Sequence, residues 1–344
     1  PQAGAQTLAR GLGGGPSPSP RVGCVYCPGS DGKWECMKRL LERLGLRNTK
    51  DRNPGAARYT IRVRSSIDGA MKPCVFIPAP PSGPRPLLVY LHPWRHGYDT
   101  DSTRWQTEAR ARDWHFLAPH FRGPNKRPEA CASRLARQDV LDAVEFVTQR
   151  HRVETRRIYG GGVSGGAHMA LVMAAEAPNV WAGISTWCAV SDLAAFYHEC
   201  RAQRAKAYRH IVKICGGVPG ASPKVDNELR FRSPRFHMAK AKDVPLDINH
   251  GVRDGQPRGI GIQHSVWAFN AITEARGDAP VPASLLEACS APENLSPNSE
   301  QDTTYGRALY LRQTSGPSRL TLFEGGHEDL PAAACAWLDR LEAL

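Results

Sequence analysis

The stretch that decides the fold is Ile158–Ala170, with the sequence IYGGGVSGGAHMA. A β-branched and aromatic run precedes its glycines, and residues at helical spacing follow them. The core of the stretch, Gly162-Val163-Ser164-Gly165-Gly166, fits the nucleophile elbow G-x-S-x-G, in which a serine occupies a strained turn between a strand and a helix. Both neighbours of that serine must be small, because a Cβ there would collide with the adjoining strand or helix. The stretch therefore predicts a strand, a turn that carries Ser164, and a helix.

The same turn predicts a site for negative charge. It aims the backbone N–H of Gly165 at the point where an oxyanion would form, beside the positive end of the following helix. A serine in a glycine-rich loop is also compatible with a plain turn or a phosphate-binding loop. No lysine follows at the spacing of a phosphate-binding loop, and the motif lies between strand and helix signals. Both features favour the nucleophile.

The composition is that of a globular protein with an excess of positive charge. The 344 residues are 41% hydrophobic and 23% charged, with a formal net charge of +12. The basic residues are scattered among acidic and apolar neighbours, as on a solvated surface, so they favour at most an acidic polymer as partner and predict no nucleic acid. No apolar run approaches the length of a membrane span, so no membrane partner is predicted.

Two segments follow from composition. Residues 1–30 contain GLGGGPSPSP and are predicted to be a flexible tail, and residues 31–344 are predicted to be one folded domain. The sequence begins with Pro1, so the absence of a signal peptide says nothing about export.

Ten cysteines favour disulfides in an exported protein. Cys24-x-x-Cys27 suggests metal or redox chemistry, but a zinc site needs a second pair of ligands and Cys36 alone does not supply one, so no metal is predicted. The first disulfides expected are Cys200 to Cys215 and one within the N-terminal cluster. The predicted location is therefore secreted or periplasmic.

Strand and helix patterns alternate along the chain, which predicts an α/β fold with a mainly parallel sheet. Strands are predicted at 59–64, 73–77, 86–92, 115–119, 156–160, near 188, at 246–251, and in a closing hairpin of 307–313 with 319–323. Helices are predicted at 101–112, 132–151, after the elbow, at 261–275 and at 330–344. The glycines from Gly160 onward are assigned to the turn, residues 192–242 to a basic helical cap insertion, and residues 276–305 to a long loop.

Three residues that could act together follow three predicted strands. A serine hydroxyl becomes a good nucleophile when a histidine takes its proton, and an acid fixes the tautomer of that histidine. The chain supplies Ser164, Asp254 and His327 in that order, which is the order expected of α/β-hydrolases. No cofactor is implied by these residues.

From about Leu87 to Leu344 the chain resembles the prolyl-oligopeptidase-like branch of the α/β-hydrolases and is similar to its stand-alone carbohydrate esterases. The resemblance lies in the elbow, in HGVRD ending at Asp254, and in EGGHE containing His327. It implies an α/β-hydrolase fold and a catalytic triad of these residues. Where the family's oxyanion loop has His-Gly, this chain has His92-Pro93-Trp94, which leaves the backbone N–H of Trp94 as the second donor beside Gly165.

Other residues compete for these roles. Asp192 also follows a strand and is an alternative acid, whereas Asp247 lies at a strand start and is expected to be structural. The alternatives to His327 are His92, His96, His250 and His264, and His168 is most simply a packing residue. Trp94, Trp187 and Trp267 lie near strand ends or the helices after them, and they line a substrate pocket or belong to the core.

A triad of this kind transfers an acyl group to water. Peptidases of the resembled family carry a large N-terminal propeller, and the residues before the oxyanion loop are too few for one, which favours a serine esterase. The expected substrates are acetyl or feruloyl esters of polysaccharides. A serine aminopeptidase or oligopeptidase acting on short peptides is the alternative, with Glu199 and Glu228 as the candidates for recognising a free amine. A binding protein without activity is a further alternative.

Overall fold

The computed structural model describes residues 46–48, 58–288, 296–298 and 302–341. In this part of the chain ten strands form one sheet: β1 Leu46–Asn48, β2 Tyr59–Arg64, β3 Met71–Ile77, β4 Arg85–Leu91, β5 His115–Ala118, β6 Val153–Val163, β7 Gly183–Trp187, β8 Leu246–Gly251, β9 Leu309–Ser315 and β10 Ser318–Phe323. Their order across the sheet is β1-β2-β3-β5-β4-β6-β7-β8-β10-β9. The run from β5 to β10 is parallel, and the pairs outside it are antiparallel. The predicted mainly parallel sheet is thus confirmed.

Helices connect the parallel strands. They are α1 Thr103–Ala111, α2 Arg134–Arg150, α3 Gly165–Glu176, α4 Leu193–Ala202, α5 Ala207–Cys215, α6 Pro223–Arg232, α7 Gln263–Arg276, α8 Ala283–Ala288 and α9 Pro331–Asp339, with 3₁₀ turns at Pro178–Val180, Pro234–Phe236 and Met238–Ala241. The short α8 lies in the segment predicted to be a loop.

The central strands are buried on both faces. Every residue of β7 and every residue of β4 after Arg85 is buried, as expected for a parallel sheet covered by helices on each side. Because the parallel strands all point the same way, their carboxyl ends meet at one edge of the sheet. That edge is where the loops after β4, β6, β8 and β10 come together.

Strand β6 is longer than predicted. It runs through Gly160–Gly162 to Val163, so these glycines belong to the strand and not to the turn. A Cβ on Gly161 would lie 2.7 Å from Cζ3 of Trp105, and one on Gly162 would lie 2.7 Å from the carbonyl oxygen of Leu91. The glycines therefore allow a ring and a neighbouring strand to approach the β6 backbone closely.

The insertion after β7 is helical, as predicted, and consists of α4, α5, α6 and the two 3₁₀ turns before β8. Its helices pack in an apolar cluster with Leu193, Ile211 and Leu229 at its centre, and Trp94 of the loop after β4 belongs to the same cluster. The guanidinium of Arg232 donates hydrogen bonds to the carbonyl oxygens of residues 128, 130 and 131. The cap is therefore packed directly against the loops at the carboxyl edge of the sheet.

The prediction of disulfides is wrong for the cysteines that lie in the described part of the chain. Cys200 and Cys215 are free and buried, as are Cys74, Cys131, Cys188 and Cys335. Cys200 on α4 and Cys215 on α5 both belong to the apolar cluster of the cap, where each acts as a small hydrophobic side chain. Export, which was inferred partly from disulfides, stays a prediction.

Two predictions concern residues outside the described ranges. These are the flexible tail at 1–30 and the disulfide within the N-terminal cysteine cluster. Among the described helices, none combines the length and the apolar character that crossing a membrane requires.

Candidate active site

Ser164 occupies a strained turn between β6 and α3. Its backbone has φ 60° and ψ −120°, a region that non-glycine residues rarely adopt. The turn is held on both sides, since the Ser164 N–H donates to the Trp187 carbonyl at 2.8 Å and the Ser164 carbonyl accepts from the His168 N–H at 2.9 Å. This is the geometry that the nucleophile elbow requires.

The two predicted oxyanion donors lie next to each other. A Cβ placed on Gly165 would be 2.5 Å from the backbone nitrogen of Trp94, so the loop after β4 touches the start of α3. A Cβ on Gly166 would overlap the Leu91 carbonyl. Glycine is needed at both positions for this approach, and the approach brings the Trp94 backbone beside Ser164.

His327 and Asp254 are joined by a hydrogen bond. His327 follows β10, Asp254 follows β8, and the Nδ1 atom of His327 lies 2.7 Å from Oδ2 of Asp254. Because a carboxylate only accepts, Nδ1 carries the proton and Nε2 is left to act as a base. The other carboxylate oxygen, Oδ1, accepts the backbone N–H groups of Gly255 and Ile260 at 2.9 Å each.

The two groups shift each other's ionisation. Burial opposes the charge on Asp254, but hydrogen bonds from His250 and His327 outweigh it and hold the pKa of Asp254 well below its usual range. Burial likewise opposes the charge on His327, yet the hydrogen bond to Asp254 raises the pKa of His327 above its ordinary value of 6.5. The pair is thus an ionised acid beside a strengthened base.

Ser164 and His327 face one cavity. Its lining also includes Pro93, Trp94, Arg95, His96, Arg104, Val163, Glu328 and Asp329. Asp254 lies behind His327 and is only 3% exposed. The Ser164 hydroxyl makes no hydrogen bond to a described residue, and this includes His327, with which it shares the cavity. The three residues predicted as a triad are therefore brought to the same edge of the sheet, and their catalytic roles are taken up below.

His250, predicted only as an alternative to His327, has a different position. It is fully buried in β8, and its Nε2 lies 2.9 Å from the Ile260 carbonyl and 3.3 Å from Oδ2 of Asp254. Since both partners are acceptors, Nε2 carries a proton, and Nδ1 lies 2.8 Å from the Ser265 hydroxyl. The Nε2–H group of His250 therefore helps to hold the Asp254 carboxylate in position from within the core. The sequence HGVRD places it four residues before Asp254, but no pattern reveals its second contact.

Cys188 also lies beside this pair. Its Sγ forms, with Asp254 and His327, a group of three possible metal ligands within 4.8 Å of one another. The thiol donates to the carbonyls of Gly326 and Glu328, which flank His327, and burial followed by the charge of Asp254 raises its pKa well above the ordinary value. A thiol held protonated is a poor metal ligand, and the carboxylate and imidazole are already bonded to each other.

The alternative acids are structural. Asp192 is the N-cap of α4, where Oδ1 accepts the N–H groups of Ala194 and Ala195, and its other oxygen lies 3.1 Å from Arg235. Asp247 is buried in β8, as predicted for a structural role, and bonds Arg319 and Ser185 at 2.7 Å each.

Two of the three predicted pocket tryptophans lie elsewhere. Trp187 is fully buried and packs against Phe323 in the core, because β7 is covered on both faces. Trp267 on α7 stacks under the guanidinium of Arg235 at 4.4 Å. Neither lines the cavity that contains Ser164, whereas Trp94 does.

The remaining histidines are engaged in packing. The ring of His92 stacks on Phe121 at 3.8 Å, and His168 is buried with its Nδ1 2.9 Å from the Val190 carbonyl. His264 is buried with its Nδ1 near the backbone of Ser191. Only His96 of the alternatives shares the cavity with Ser164.

Residues 101–257 match the model of the prolyl oligopeptidase family. The matched segment contains Ser164 and Asp254, and His327 lies beyond it. No curated protein matches the chain significantly. The resemblance to carbohydrate esterases that the sequence motifs suggest is not shown by these comparisons.

Solved structures share the fold. Pyrococcus horikoshii acylaminoacyl peptidase is 12% identical with a TM-score of 0.55, covering 89% of this chain and 44% of its own. A Mycobacterium tuberculosis puromycin-hydrolyzing peptidase is 14% identical with a TM-score of 0.53, covering 81% and 37%. Oligopeptidase B from Leishmania major is 13% identical with a TM-score of 0.51, covering 82% and 35%. The chain therefore spans less than half the length of these proteins.

The parallel sheet, the elbow and these likenesses lead to one structural conclusion. The chain has the α/β-hydrolase fold, and the segment that carries its elbow serine and its candidate acid matches the prolyl oligopeptidase family.

Proposed function

We propose that the protein is a serine hydrolase that cleaves amide bonds in short peptides through an acyl-enzyme. The observation that carries the proposal is the hydrogen bond of 2.7 Å between His327 and Asp254, with His327 sharing a cavity with the strained Ser164. An imidazole with a fixed tautomer, raised basicity and a nearby hydroxyl is the arrangement that acyl transfer needs.

Each residue has a step in this proposal. Ser164 Oγ attacks the carbonyl carbon while Nε2 of His327 takes its proton, and the carbonyl oxygen becomes an oxyanion that accepts the N–H groups of Gly165 and Trp94. His327 then passes its proton to the leaving amine as the C–N bond breaks. Water attacks the acyl-enzyme by the same route in reverse, which releases the acid and restores the Ser164 hydroxyl. Asp254 stays ionised throughout.

Amide cleavage is favoured over ester cleavage by the comparisons. The elbow lies in the segment that matches the prolyl oligopeptidase family, and the solved structures of the same fold include an acylaminoacyl peptidase and an oligopeptidase. An amine leaves only when protonated, and the raised pKa of His327 makes it a suitable donor of that proton. We therefore prefer the peptidase over the polysaccharide esterase.

The cavity favours an oligopeptidase over an aminopeptidase. Glu199 is occupied by Gln263 and His264, and Glu228 is paired with Arg232. The acids that do line the cavity, Glu328 and Asp329, are also paired. Because each of these carboxylates already has a partner in the described part of the chain, none is left over for a free substrate amine, and we infer that the enzyme prefers peptides with a blocked N-terminus or cleaves bonds inside a peptide.

The first test is labelling by a fluorophosphonate probe. The wild type is expected to be labelled on Ser164, the Ser164→Ala variant to remain unlabelled, and the Ser82→Ala variant, which changes an exposed serine far from the elbow, to behave as wild type. Failure to label the folded wild type would remove the enzyme proposal.

The second test separates the two reactions. Blocked peptide arylamides and chromogenic esters with the same acyl group are compared with acetylated xylan and feruloyl esters. An ester is the easier substrate, so a peptidase is expected to cleave both members of each pair. Cleavage of esters alone, including the polysaccharide esters, would contradict the peptidase and support the esterase.

A further inference from the structure

The cavity that contains Ser164 has one uncommitted charge in its lining. Arg95 follows Trp94 in the loop after β4, is exposed, and has no ion pair or hydrogen-bond partner in the described part of the chain. Its carboxylate neighbours in the lining are already used, since Glu328 lies 2.6 Å from Arg307 and Asp329 lies 3.4 Å from Arg104. The unbalanced charge beside the nucleophile is therefore positive.

A second positively charged residue, Lys126, lies on the loop next to that of Arg95. The backbone N–H of Asn125 donates to the Trp94 carbonyl at 2.8 Å, so the residues that follow these two, Lys126 and Arg95, emerge from adjoining points of two loops. Lys126 is exposed, and its ammonium also has no ion pair or hydrogen-bond partner in the described part of the chain. The hydrogen bond fixes the two loops to each other and thereby fixes where the two side chains begin.

A residue of the cap, His210, lies beside these two loops, and we call Arg95, Lys126 and His210 together the rim of the cavity. His210 on α5 lies with its Nδ1 3.3 Å from Nε1 of Trp94, so the indole N–H donates to it. Burial, then Lys126, then Arg95 lower the pKa of His210. The two positive charges and the imidazole therefore stand at the same part of the cavity entrance, since Trp94 is hydrogen-bonded to His210 through its indole and to Asn125 through its carbonyl.

We propose that Arg95 and Lys126 form an anion subsite at the rim of the catalytic cavity, which selects peptides that carry a carboxylate near the bond to be cleaved. This inference rests on the proposed function, because it assigns a substrate class to the same cavity. It also assigns a binding role to two positive charges that the acyl-transfer chemistry does not use, in a chain whose net charge is +12.

The chemistry fits a carboxylate in particular. The planar guanidinium of Arg95 can donate two parallel hydrogen bonds to the two oxygens of a carboxylate, and the ammonium of Lys126 supplies a further charge. A substrate that enters the cavity displaces water from between these groups, which strengthens the interaction relative to a fully exposed pair.

The test uses matched peptide arylamides that carry Asp or Asn at each position near the cleaved bond. At one or more positions we expect the wild type to favour Asp over Asn by roughly tenfold in kcat/KM, the scale of one charge-assisted hydrogen bond. Arg95→Gln is expected to reduce this ratio towards one, Arg95→Glu to invert it, and Lys126→Gln to reduce it partly. Arg62→Gln removes the same charge from exposed β2, far from the cavity, and is expected to leave the ratio unchanged.

The outcomes separate this inference from the proposed function. Cleavage of the Asn peptides with a ratio of Asp to Asn that is insensitive to Arg95→Gln would overturn the anion subsite and leave the peptidase intact. If no amide is cleaved, the peptidase proposal fails, and the subsite is tested by the labelling rates of Ser164 with a carboxylate-bearing and a neutral fluorophosphonate. Equal rates, or a preference that survives Arg95→Glu, would then overturn it.

Discussion

Adding one methyl group at Gly165 tests the oxyanion assignment directly. In Gly165→Ala the new Cβ would lie 2.5 Å from the backbone nitrogen and 2.6 Å from the Cα of Trp94. Atoms in ordinary contact are about 3.5 Å apart, so the loop after β4 must retreat by roughly 1 Å. Because the obstacle is backbone on both sides, no side-chain rotation can relieve the clash.

The expected loss follows from that displacement. A hydrogen bond of about 2.9 Å that lengthens by 1 Å is no longer a hydrogen bond, so the Trp94 N–H would cease to stabilise the oxyanion. Removal of one such donor lowers kcat by about 10² to 10³ fold, or roughly 3 to 4 kcal/mol of transition-state stabilisation. The effect should fall on kcat and leave KM almost unchanged, because the ground-state carbonyl does not use the donor fully.

The assay is the steady-state hydrolysis of a chromogenic ester, with active sites counted by fluorophosphonate titration and the fold checked by its Tm. Gly97→Ala is the matched control in the same loop, since its Cβ would meet only the exposed carboxylate of Asp99 at 3.3 Å. It is expected to retain wild-type kcat. A folded Gly165→Ala variant with undiminished kcat, or with only a raised KM, would refute the placement of Trp94 as a donor.

Three other predictions concern the groups around the pair and the cap. The kcat/KM value is expected to rise with pH through a pKa above 6.5, as His327 loses the proton that Asp254 stabilises, and a midpoint at or below 6.5 in a pH profile would contradict this. His250→Leu, which removes the N–H that lies 3.3 Å from Asp254, is expected to lower kcat roughly tenfold while His250→Gln retains most of it, and equal losses would make His250 merely a packing residue. His210→Asn keeps an acceptor for the Trp94 indole and is expected to preserve kcat better than His210→Leu. Equal kcat values for the two variants in the same assay would show that this hydrogen bond is unimportant.

The parts of the site that the sequence predicts are those with local signals. The elbow is specified within five residues, and the acid and the base each follow a strand whose hydrophobic pattern is plain. The structure extends β6 through Gly160–Gly162 because the space that their missing side chains leave is filled by Trp105 and Leu91, residues far away in the chain. Glycine occurs both in turns and in strands that a neighbouring group approaches closely, and only tertiary packing distinguishes the two cases.

The errors have the same origin. The number of cysteines favours a disulfide between Cys200 and Cys215, but both thiols are free in the apolar cluster that three helices of the cap form. A place at a strand end fits Trp187 to a pocket or to the core, and the burial of its strand on both faces decides for the core. His250 is the converse case, since its role depends on contacts with Asp254, Ile260 and Ser265, and nothing in its own sequence neighbourhood distinguishes it from a buried core histidine.

The proposed chemistry and the proposed selectivity depend on different parts of this molecule. Ser164 and Asp254 follow strand ends and are held by hydrogen bonds to the backbone, whereas His327 follows β10 and is held by its hydrogen bond to Asp254, so the geometry of all three depends on the sheet. Arg95 and Lys126 stand on two neighbouring loops and are exposed, and His210 of the cap accepts a hydrogen bond from the indole of Trp94, the residue before Arg95. Substitutions at Arg95 or Lys126 should therefore alter which peptides are cleaved far more than how fast Ser164 is acylated by a small neutral probe. Trp94 is the exception, because it contributes its backbone to the one part and its side chain to the other.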